Sequence, residues 1–320
     1  MEKLEKVGLL AARIEEEVAR HIIGQKELIK DTIICLLSGG NMLLEGVPGL
    51  GKTRLVSVLG VALGLDHKRI QFTPDLMPAD ITGTNIYKKE TGAFEFQKGP
   101  VFTNIVLADE INRATPKTQA AMLEAMQEKT ITSGVNTYKL DKPYLVMATQ
   151  NPIEQEGTYP LPEAQMDRFM FKLNVEFPSV EELLQIVTLT TGTQEPAIEA
   201  ITNAAEILEV QAAAKEVPVA RPVMEYAMRL IALTHPDNEA SPQVIKKYIR
   251  CGSSPRGAQA IIATSRVRAL MEGRYNVAFE DIRKMAYPVL RHRLLLNFDA
   301  MSDGRNADSI IKEMIESVEE

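Results

Sequence analysis

The sequence predicts an α/β protein in which a doubly wound parallel sheet is followed by a smaller, all-α lid domain. A glycine-rich, phosphate-binding pattern near residue 50 lies between a short apolar run and an apolar helix. Strand and helix patterns alternate after it, and beyond Pro178 only helical patterns follow. We place the domain boundary in the polar stretch 190–196, which divides the chain into residues 1–194 and 195–320.

Two helices are predicted before the sheet begins. Apolar residues recur near helical spacing in residues 8–20, at Leu9, Leu10, Ile14 and Val18. The three glutamates at 15–17 are expected to face largely outward, and Gly24 is expected to end this segment. A second helix is predicted at 26–37.

The glycine-rich pattern is the run Gly46-Val47-Pro48-Gly49-Leu50-Gly51-Lys52-Thr53, which fits G-x-x-x-x-G-K-[ST]. Backbone N–H groups of such a loop surround nucleotide phosphates, and its three glycines let the backbone take left-handed angles and come close to oxygen atoms. Lys52 is expected to reach the β- and γ-phosphates, and the Thr53 hydroxyl to ligate Mg²⁺. A strand at 42–44 and a helix at 53–63 are predicted around it, so that the positive end of the helix dipole faces the phosphates.

The remaining elements follow from periodicity and turn residues. Strands are predicted at 68–73, 104–108, 144–148 and 169–173, and helices at 119–127 and from Ser179 to about 189, where Ser179 and Glu182 form a capping box. Two hairpins are predicted within the crossovers, one turning at 88–92 and one at Ser133-Gly134. The second domain is predicted to contain helices near 198–214, 222–234, 242–250, 255–272, 279–286 and 307–318.

Polar residues that follow the buried strands are the candidates for chemistry. Asp109 and Glu110 end an apolar run, and adjacent carboxylates there suit a bound Mg²⁺, with Asp109 holding the ion and Glu110 polarising a water. Asn151 follows the next strand and is placed to contact the γ-phosphate or that water.

Two arginines are further candidates. Arg168 precedes the last strand, where a local ion pair with Asp167 is the ordinary alternative. Arg256 falls in the first turn of a helix capped by Ser254, where the helix dipole disfavours a cation by about 0.3–1 kcal/mol. A nearby anion, such as a phosphate bound to the other domain, would reverse that effect.

Composition excludes several other classes. The net charge of −7 argues against a constitutive nucleic-acid surface, and the two cysteines indicate neither disulfides nor zinc. No apolar run is long enough to span a membrane, and the N-terminus is too charged for a signal peptide, so we expect a cytoplasmic protein.

These motifs together resemble the MoxR family of AAA+ ATPases over nearly the whole length. The resemblance rests on 46–53 (Walker A), 107–114 (Walker B), 147–152 (sensor 1), 155–169, 254–257 (sensor 2) and the two hairpins. It implies that Ile22, Ile23 and Gln25 line an adenine site and that Arg168 is an arginine finger acting on a neighbouring subunit. It also implies that Arg256 reports the γ-phosphate from the lid.

The family resemblance further implies an ATP- and Mg²⁺-dependent ring, expected to be a hexamer, with a chaperone-like role in maturing or activating protein complexes. A partner with a von Willebrand factor A-like domain is expected as a separate chain. One alternative is a DNA-acting motor, which would need basic or aromatic hairpin tips. A monomeric small-molecule kinase would leave Arg168, Arg256 and the lid without a purpose, and a binding-only switch would not need Glu110.

Overall fold

A central sheet of parallel strands organises the computed structural model, which describes residues 2–90, 92–134, 136–152, 157–191 and 197–319. In chain order the strands are β1 Met42–Glu45, β2 His67–Gln71, β3 Gly83–Lys88, β4 Ala93–Lys98, β5 Ile105–Asp109, β6 Thr130–Ser133, β7 Asn136–Lys139, β8 Leu145–Gln150, β9 Phe171–Asn174, β10 Ile249–Cys251 and β11 Leu295–Leu296. Five of them form the sheet in the order β2-β5-β8-β1-β9, and every pair is parallel. The predicted doubly wound sheet is confirmed.

The helices cover both faces of this sheet and form the second domain. They are α1 Glu2–His21, α2 Lys26–Leu37, α3 Lys52–Ala62, α4 Pro78–Thr82, α5 Pro116–Glu128, α6 Glu163–Met166, α7 Val180–Thr191, α8 Ala204–Ala214, α9 Arg221–Ala232, α10 Gln243–Tyr248, α11 Pro255–Met271, α12 Phe279–Leu290, α13 Phe298–Ser302 and α14 Ala307–Glu316. None of the helices in the described ranges is both long and apolar enough to cross a membrane.

The strands β5, β8 and β1 have apolar side chains buried on both faces, because neighbouring residues point to opposite sides. Leu107 joins the core beneath α1, α2 and α3, while Val106 and Ala108 join the core on the side of α5. The same alternation separates Met147 from Val146 on β8. This double burial explains why these strands read as continuous apolar runs in the sequence.

Both predicted hairpins are present and lie against each other. The antiparallel pair β3–β4 precedes β5, and the pair β6–β7 follows α5. The ring of Phe96 on β4 stacks on Tyr138 of β7 with centroids 4.2 Å apart, and Asn85 donates to the Ser133 hydroxyl. The two hairpins therefore form one structural unit.

The second domain is helical, with one short antiparallel ribbon, β10–β11, that the sequence patterns did not predict. Two- and three-residue strands are too short to show a period. The predicted boundary at 194/195 lies outside the described residues. Helix α8 packs against α1 and α2, and α12 packs against β9, so the second domain rests directly on the first.

Two expectations for α1 were wrong. Leu9 is 61% exposed, and the buried apolar residues of α1 are Val7, Leu10, Ala11, Ile14 and Val18. Glu17 is buried, and its carboxylate accepts hydrogen bonds from the Glu199 backbone N–H (2.9 Å) and from Arg20 (3.0 Å). These bonds compensate for the burial of its charge.

Candidate functional site

The phosphate-binding loop connects β1 to α3 at the carboxyl edge of the sheet. Gly49 and Gly51 have φ of +86° and +76°, and open space lies where a Cβ would be, so their backbone conformation requires glycine. The φ of Gly46 is not positive. A Cβ on Gly46 would lie 2.9 Å from Val175, so this glycine permits close approach to the chain after β9.

Lys52 begins α3 and is partly buried. Its Nζ donates to the Gly46 carbonyl at 2.6 Å, across the concave side of the loop. Burial lowers the pKa of Lys52, and the carboxylates of Asp109 and Glu110 act in the opposite direction. Thr53, in the same first turn of α3, is exposed. The loop thus presents an ammonium, a hydroxyl and a helix N-terminus to one space, which suits polyphosphate binding.

Asp109 ends β5 next to this loop, and its carboxylate already has two partners. Oδ1 accepts from the Thr149 hydroxyl at 2.6 Å, and Oδ2 accepts from Arg69 Nε (3.0 Å) and Nη2 (2.7 Å). Arg69 lies on β2, and Thr149 on β8. The neighbouring strands on both sides therefore fix the orientation of Asp109.

Glu110 has a left-handed backbone conformation, with φ of 56° and ψ of 48°. A non-glycine residue in that region is uncommon and stores strain of order 1 kcal/mol, which is typical of functional sites. Its backbone N–H donates to Thr149 Oγ1 at 2.8 Å. Its carboxylate accepts from Gln71 Nε2 (2.8 Å) and pairs with Arg113 Nε (3.0 Å).

Asn151 follows β8 and is buried. Because β5, β8 and β1 are adjacent in the sheet, their carboxyl ends bring Asp109, Asn151 and the phosphate-binding loop to one edge. The sequence predicted this convergence correctly.

A hydroxyl and a carboxylate, the groups that Mg²⁺ prefers, are available at Thr53 and Asp109. Mg²⁺ usually keeps several waters and substrate oxygens, so one protein carboxylate is sufficient. A carboxylate oxygen has further lone pairs beyond those used by Arg69 and Thr149. The donor set fits the ion, although Arg69 competes with it for Asp109.

Ile22, Ile23 and Gln25 lie with the phosphate-binding loop on one cavity of about 300 Å³. The other lining residues are His21, Gly49, Leu50, Gly51, Arg54, Phe177, Pro178, Leu183, Ile186, Leu189 and Thr190. This apolar space beside the loop suits a planar base. The wall supplied by α7 was missed, although Leu183, Ile186 and Thr190 recur at helical spacing.

Arg168 lies at the amino ends of the parallel strands, opposite to the end that carries the phosphate-binding loop. It precedes β9, whose first residue, Phe171, is paired with Met42 at the beginning of β1. The phosphate-binding loop follows the end of β1, roughly 13 Å away along four strand residues. Among the described residues no carboxylate pairs with Arg168, and its guanidinium makes one long hydrogen bond, to the Leu123 carbonyl (3.4 Å).

Arg256 lies beside Arg168, and not beside the phosphate-binding loop of its own chain. Both arginines line a groove of about 430 Å³ with residues 39–41, which precede β1. The anion near Arg256 is Asp167, at 3.6 Å, where a phosphate held by the same chain was expected. The sequence could not show this, because α11 is oriented by its packing against α1 and α2.

Several residues of the site were not predicted from the sequence. Arg69, Gln71 and Thr149 contact the two carboxylates, but each comes from another strand about 40 residues away in the chain. Their one sequence feature was polarity within or at the end of a strand.

Comparison with known proteins agrees with this geometry. Residues 41–171 match the model of the ATPase family associated with various cellular activities (AAA), and residues 241–314 match the AAA lid domain. Chaperone MoxR1 of Mycobacterium tuberculosis is 43% identical over 94% of this chain and 80% of its own. Protein MoxR of Methylorubrum extorquens is 30% identical over 96% of this chain and 93% of its own. The crystal structure of an ATPase candidate from Cytophaga hutchinsonii superposes with a TM-score of 0.93 at 40% identity, covering 99% of this chain and 97% of that one.

Proposed function

Since this chain belongs to the MoxR family of AAA ATPases, we propose that it hydrolyses Mg·ATP in a ring whose active sites are each shared by two subunits. The observation that carries this proposal is the separation of the two arginines from the phosphate-binding loop. Arg168 and Arg256 lie together at the end of the strands opposite to the phosphate-binding loop, which supports a role at a nucleotide bound to another copy. We propose a hexamer.

Within one subunit, the loop N–H groups and Lys52 bind the phosphates, and Thr53 with Asp109 holds Mg²⁺. When bound, the ion would supply positive charge that stabilises the negative charge developing on the phosphate. Glu110 orients the attacking water and accepts its proton, and Asn151 contacts the γ-phosphate or that water. Glu110 has to exchange its bonds to Gln71 and Arg113 for this contact.

The neighbouring subunit supplies Arg168 and Arg256 to the γ-phosphate in this proposal. Arg168 is the better-prepared of the two, because its guanidinium lacks a carboxylate partner among the described residues. An arginine at the charge of the transition state can contribute roughly 10³–10⁵ in turnover. The family resemblance implies that Arg256 reports the γ-phosphate from the lid, and we propose that it does so across the interface as well.

The biological role that we propose is chaperone-like remodelling, maturation or activation of protein complexes in the cytoplasm, with a partner that carries a von Willebrand factor A-like domain. A relative named as a chaperone supports the remodelling role.

A DNA-acting motor is the second candidate. Tyr87 and Phe94, near the turn of the β3–β4 hairpin, are 53% and 72% exposed and form an edge-to-face pair. Exposed aromatic rings can stack on bases. The net charge of −7 argues against this alternative.

The test measures particle mass and ATPase rate together across a dilution series, with and without DNA. Specific activity is expected to fall as subunits separate. A mixture of Arg168→Ala and Lys52→Ala proteins, each inactive alone, is expected to recover part of the activity. A mixture that forms mixed particles yet stays inactive would refute the shared site, and strong stimulation by DNA would favour the motor.

A further inference from the structure

Arg293, which follows α12 in the lid, donates all five of its guanidinium N–H groups to the protein. Nε donates to Asp167 Oδ1 (2.8 Å), Nη2 to the carbonyls of Asp167 (3.0 Å) and Phe169 (2.6 Å), and Nη1 to those of Met170 (3.1 Å) and Val289 (2.5 Å). Its side chain is 3% exposed. Such complete pairing compensates for burying a charge that would otherwise be costly.

Four of these five acceptors belong to residues 167–170, the segment that carries Arg168. The carbonyls of Asp167 and Phe169 lie immediately before and after it, so the lid guanidinium fixes the backbone on both sides. His292, also buried, contacts the Phe169 carbonyl at 3.0 Å. Burial and the adjacent Arg293 lower the pKa of His292, which keeps its ring neutral beside that cation.

The side chain of Arg168, by contrast, is held only weakly. Within the described part of the chain, its one hydrogen bond, to the Leu123 carbonyl, is 3.4 Å long, and Nε has no partner there. The direction in which the Arg168 side chain points is therefore set mainly by the backbone of residues 167–170. Asp167 also accepts from the Ser254 hydroxyl (2.8 Å), which ties the same segment to the start of α11.

We infer that Arg293 is a positioning residue that aims Arg168 at the neighbouring subunit's nucleotide and makes the lid and this arginine one mechanical unit. This inference rests on the shared active site proposed above. It assigns Arg293 no contact with nucleotide. Any displacement of the lid by a client or partner would then be transmitted to catalysis in the adjacent subunit.

A simple clamp between lid and core would predict something different. If Arg293 only held the lid on the core, its loss would lower the ATPase activity of the subunit that carries the substitution. Loss of a positioning residue would spare that subunit's own nucleotide site and impair only the subunit that receives its Arg168. Mixed particles separate these two effects.

The experiment uses Arg293→Lys, which keeps the charge but has only three donors on a different geometry. The reference mixture combines an Arg168→Ala acceptor, which has an intact phosphate-binding loop, with a Lys52→Ala donor of Arg168. Arg293→Lys is then added to either the donor or the acceptor. Arg291→Lys is the matched control in the donor. Arg291 pairs with Asp308 within the lid and joins the lid to the core through the Lys172 carbonyl, and its hydrogen bonds do not involve residues 167–170.

With Arg293→Lys in the donor, we expect the recovered ATPase rate to fall by about tenfold or more, since a small misplacement of a catalytic group can cost up to 10². With Arg293→Lys in the acceptor, or Arg291→Lys in the donor, we expect the recovered ATPase rate to change by less than about twofold. ATPase activity of the mixture that carries Arg293→Lys in the acceptor also shows that the variant protein folds. An equal loss of ATPase rate with Arg293→Lys in the donor and in the acceptor, or no loss with it in the donor, would overturn the inference.

Failure of the shared site itself is recognised separately, because the reference mixture would then be inactive despite mixed particles. If Arg293→Lys yields no folded protein, Arg293→Gln replaces it. That change removes the buried charge, keeps two N–H donors, and leaves the contacts of Asp167 with Ser254 and Arg256 in place. Loss confined to its donor arm would support the inference, and its absence would refute it.

Discussion

The Thr149 hydroxyl donates to Asp109 Oδ1 at 2.6 Å, across the pairing of β8 with β5. The Thr149 hydroxyl oxygen in turn accepts a hydrogen bond from the backbone N–H of Glu110 at 2.8 Å. A single hydroxyl thus orients the predicted magnesium ligand and stabilises the left-handed conformation of the residue that follows it.

Thr149→Val should lower turnover while leaving ATP binding nearly unchanged. Valine preserves the shape of threonine but leaves the Glu110 N–H unpaired, at a cost of about 1–3 kcal/mol. Thr149→Ser keeps the hydroxyl and is the control. Steady-state ATPase rates and a fluorescent-nucleotide titration would measure the two effects, and equal turnover for the valine and serine variants would contradict the assigned role.

Lys52→Ala should abolish nucleotide binding, whereas Glu110→Gln should bind ATP and hardly hydrolyse it. Lys52 contacts phosphates in the ground state, while Glu110 acts on the water only as the reaction proceeds, so its loss affects turnover more than affinity. Calorimetric titration and single-turnover hydrolysis would separate these effects. Wild-type turnover by Glu110→Gln would show that another group activates the water.

Saturating Mg·ATP should raise thermal stability, by about 2.7 kcal/mol at a hundredfold excess over the dissociation constant. GTP at the same concentration should stabilise less, because the cavity beside Ile22, Ile23 and Gln25 is expected to fit adenine. Differential scanning fluorimetry would measure both shifts, with Lys52→Ala as the control that should respond to neither. Equal shifts with ATP and GTP would contradict an adenine-selective cavity.

Asp31→Asn should stabilise the protein at pH 8 and leave it nearly unchanged at pH 4. Burial, helped by Glu27, raises the pKa of Asp31 from 3.8 to about 7. The folded state therefore holds this proton more tightly than the unfolded state, and the corresponding stability is lost as pH rises through 7. At 1.36 kcal/mol for each pKa unit between 3.8 and about 7, the gain in the free energy of unfolding at pH 8 is at most about 4 kcal/mol.

Urea unfolding between pH 4 and 8 would measure this difference. Glu27→Gln is a second variant. Removing the charge of Glu27 should lower the pKa of Asp31, so the free energy of unfolding should decline less between pH 4 and 8 than in the wild type. A wild-type stability that does not decline between pH 5 and 8 relative to Asp31→Asn would disprove the raised pKa.

The sequence by itself determined the parallel sheet and the carboxyl-edge site. Buried strands must be apolar on both faces, so they stand out as short runs, and the residues that end them are bound to meet at one edge. The glycines of the phosphate-binding loop, the pair Asp109-Glu110 and the position of Asn151 were readable for that reason. The capping box of Ser179 and Glu182 was readable too, because both of its hydrogen bonds are local.

Only the tertiary structure decided which groups contact those residues and which edge the arginines occupy. Arg69, Gln71 and Thr149 meet Asp109 and Glu110 through strand order, which periodicity within a segment does not encode. Arg256 lies beside Arg168 because α11 packs on α1 and α2, and Arg293 reaches residues 167–170 because α12 packs on β9. Such long-range packing depends on the shapes of whole faces, and no short run of sequence contains that information.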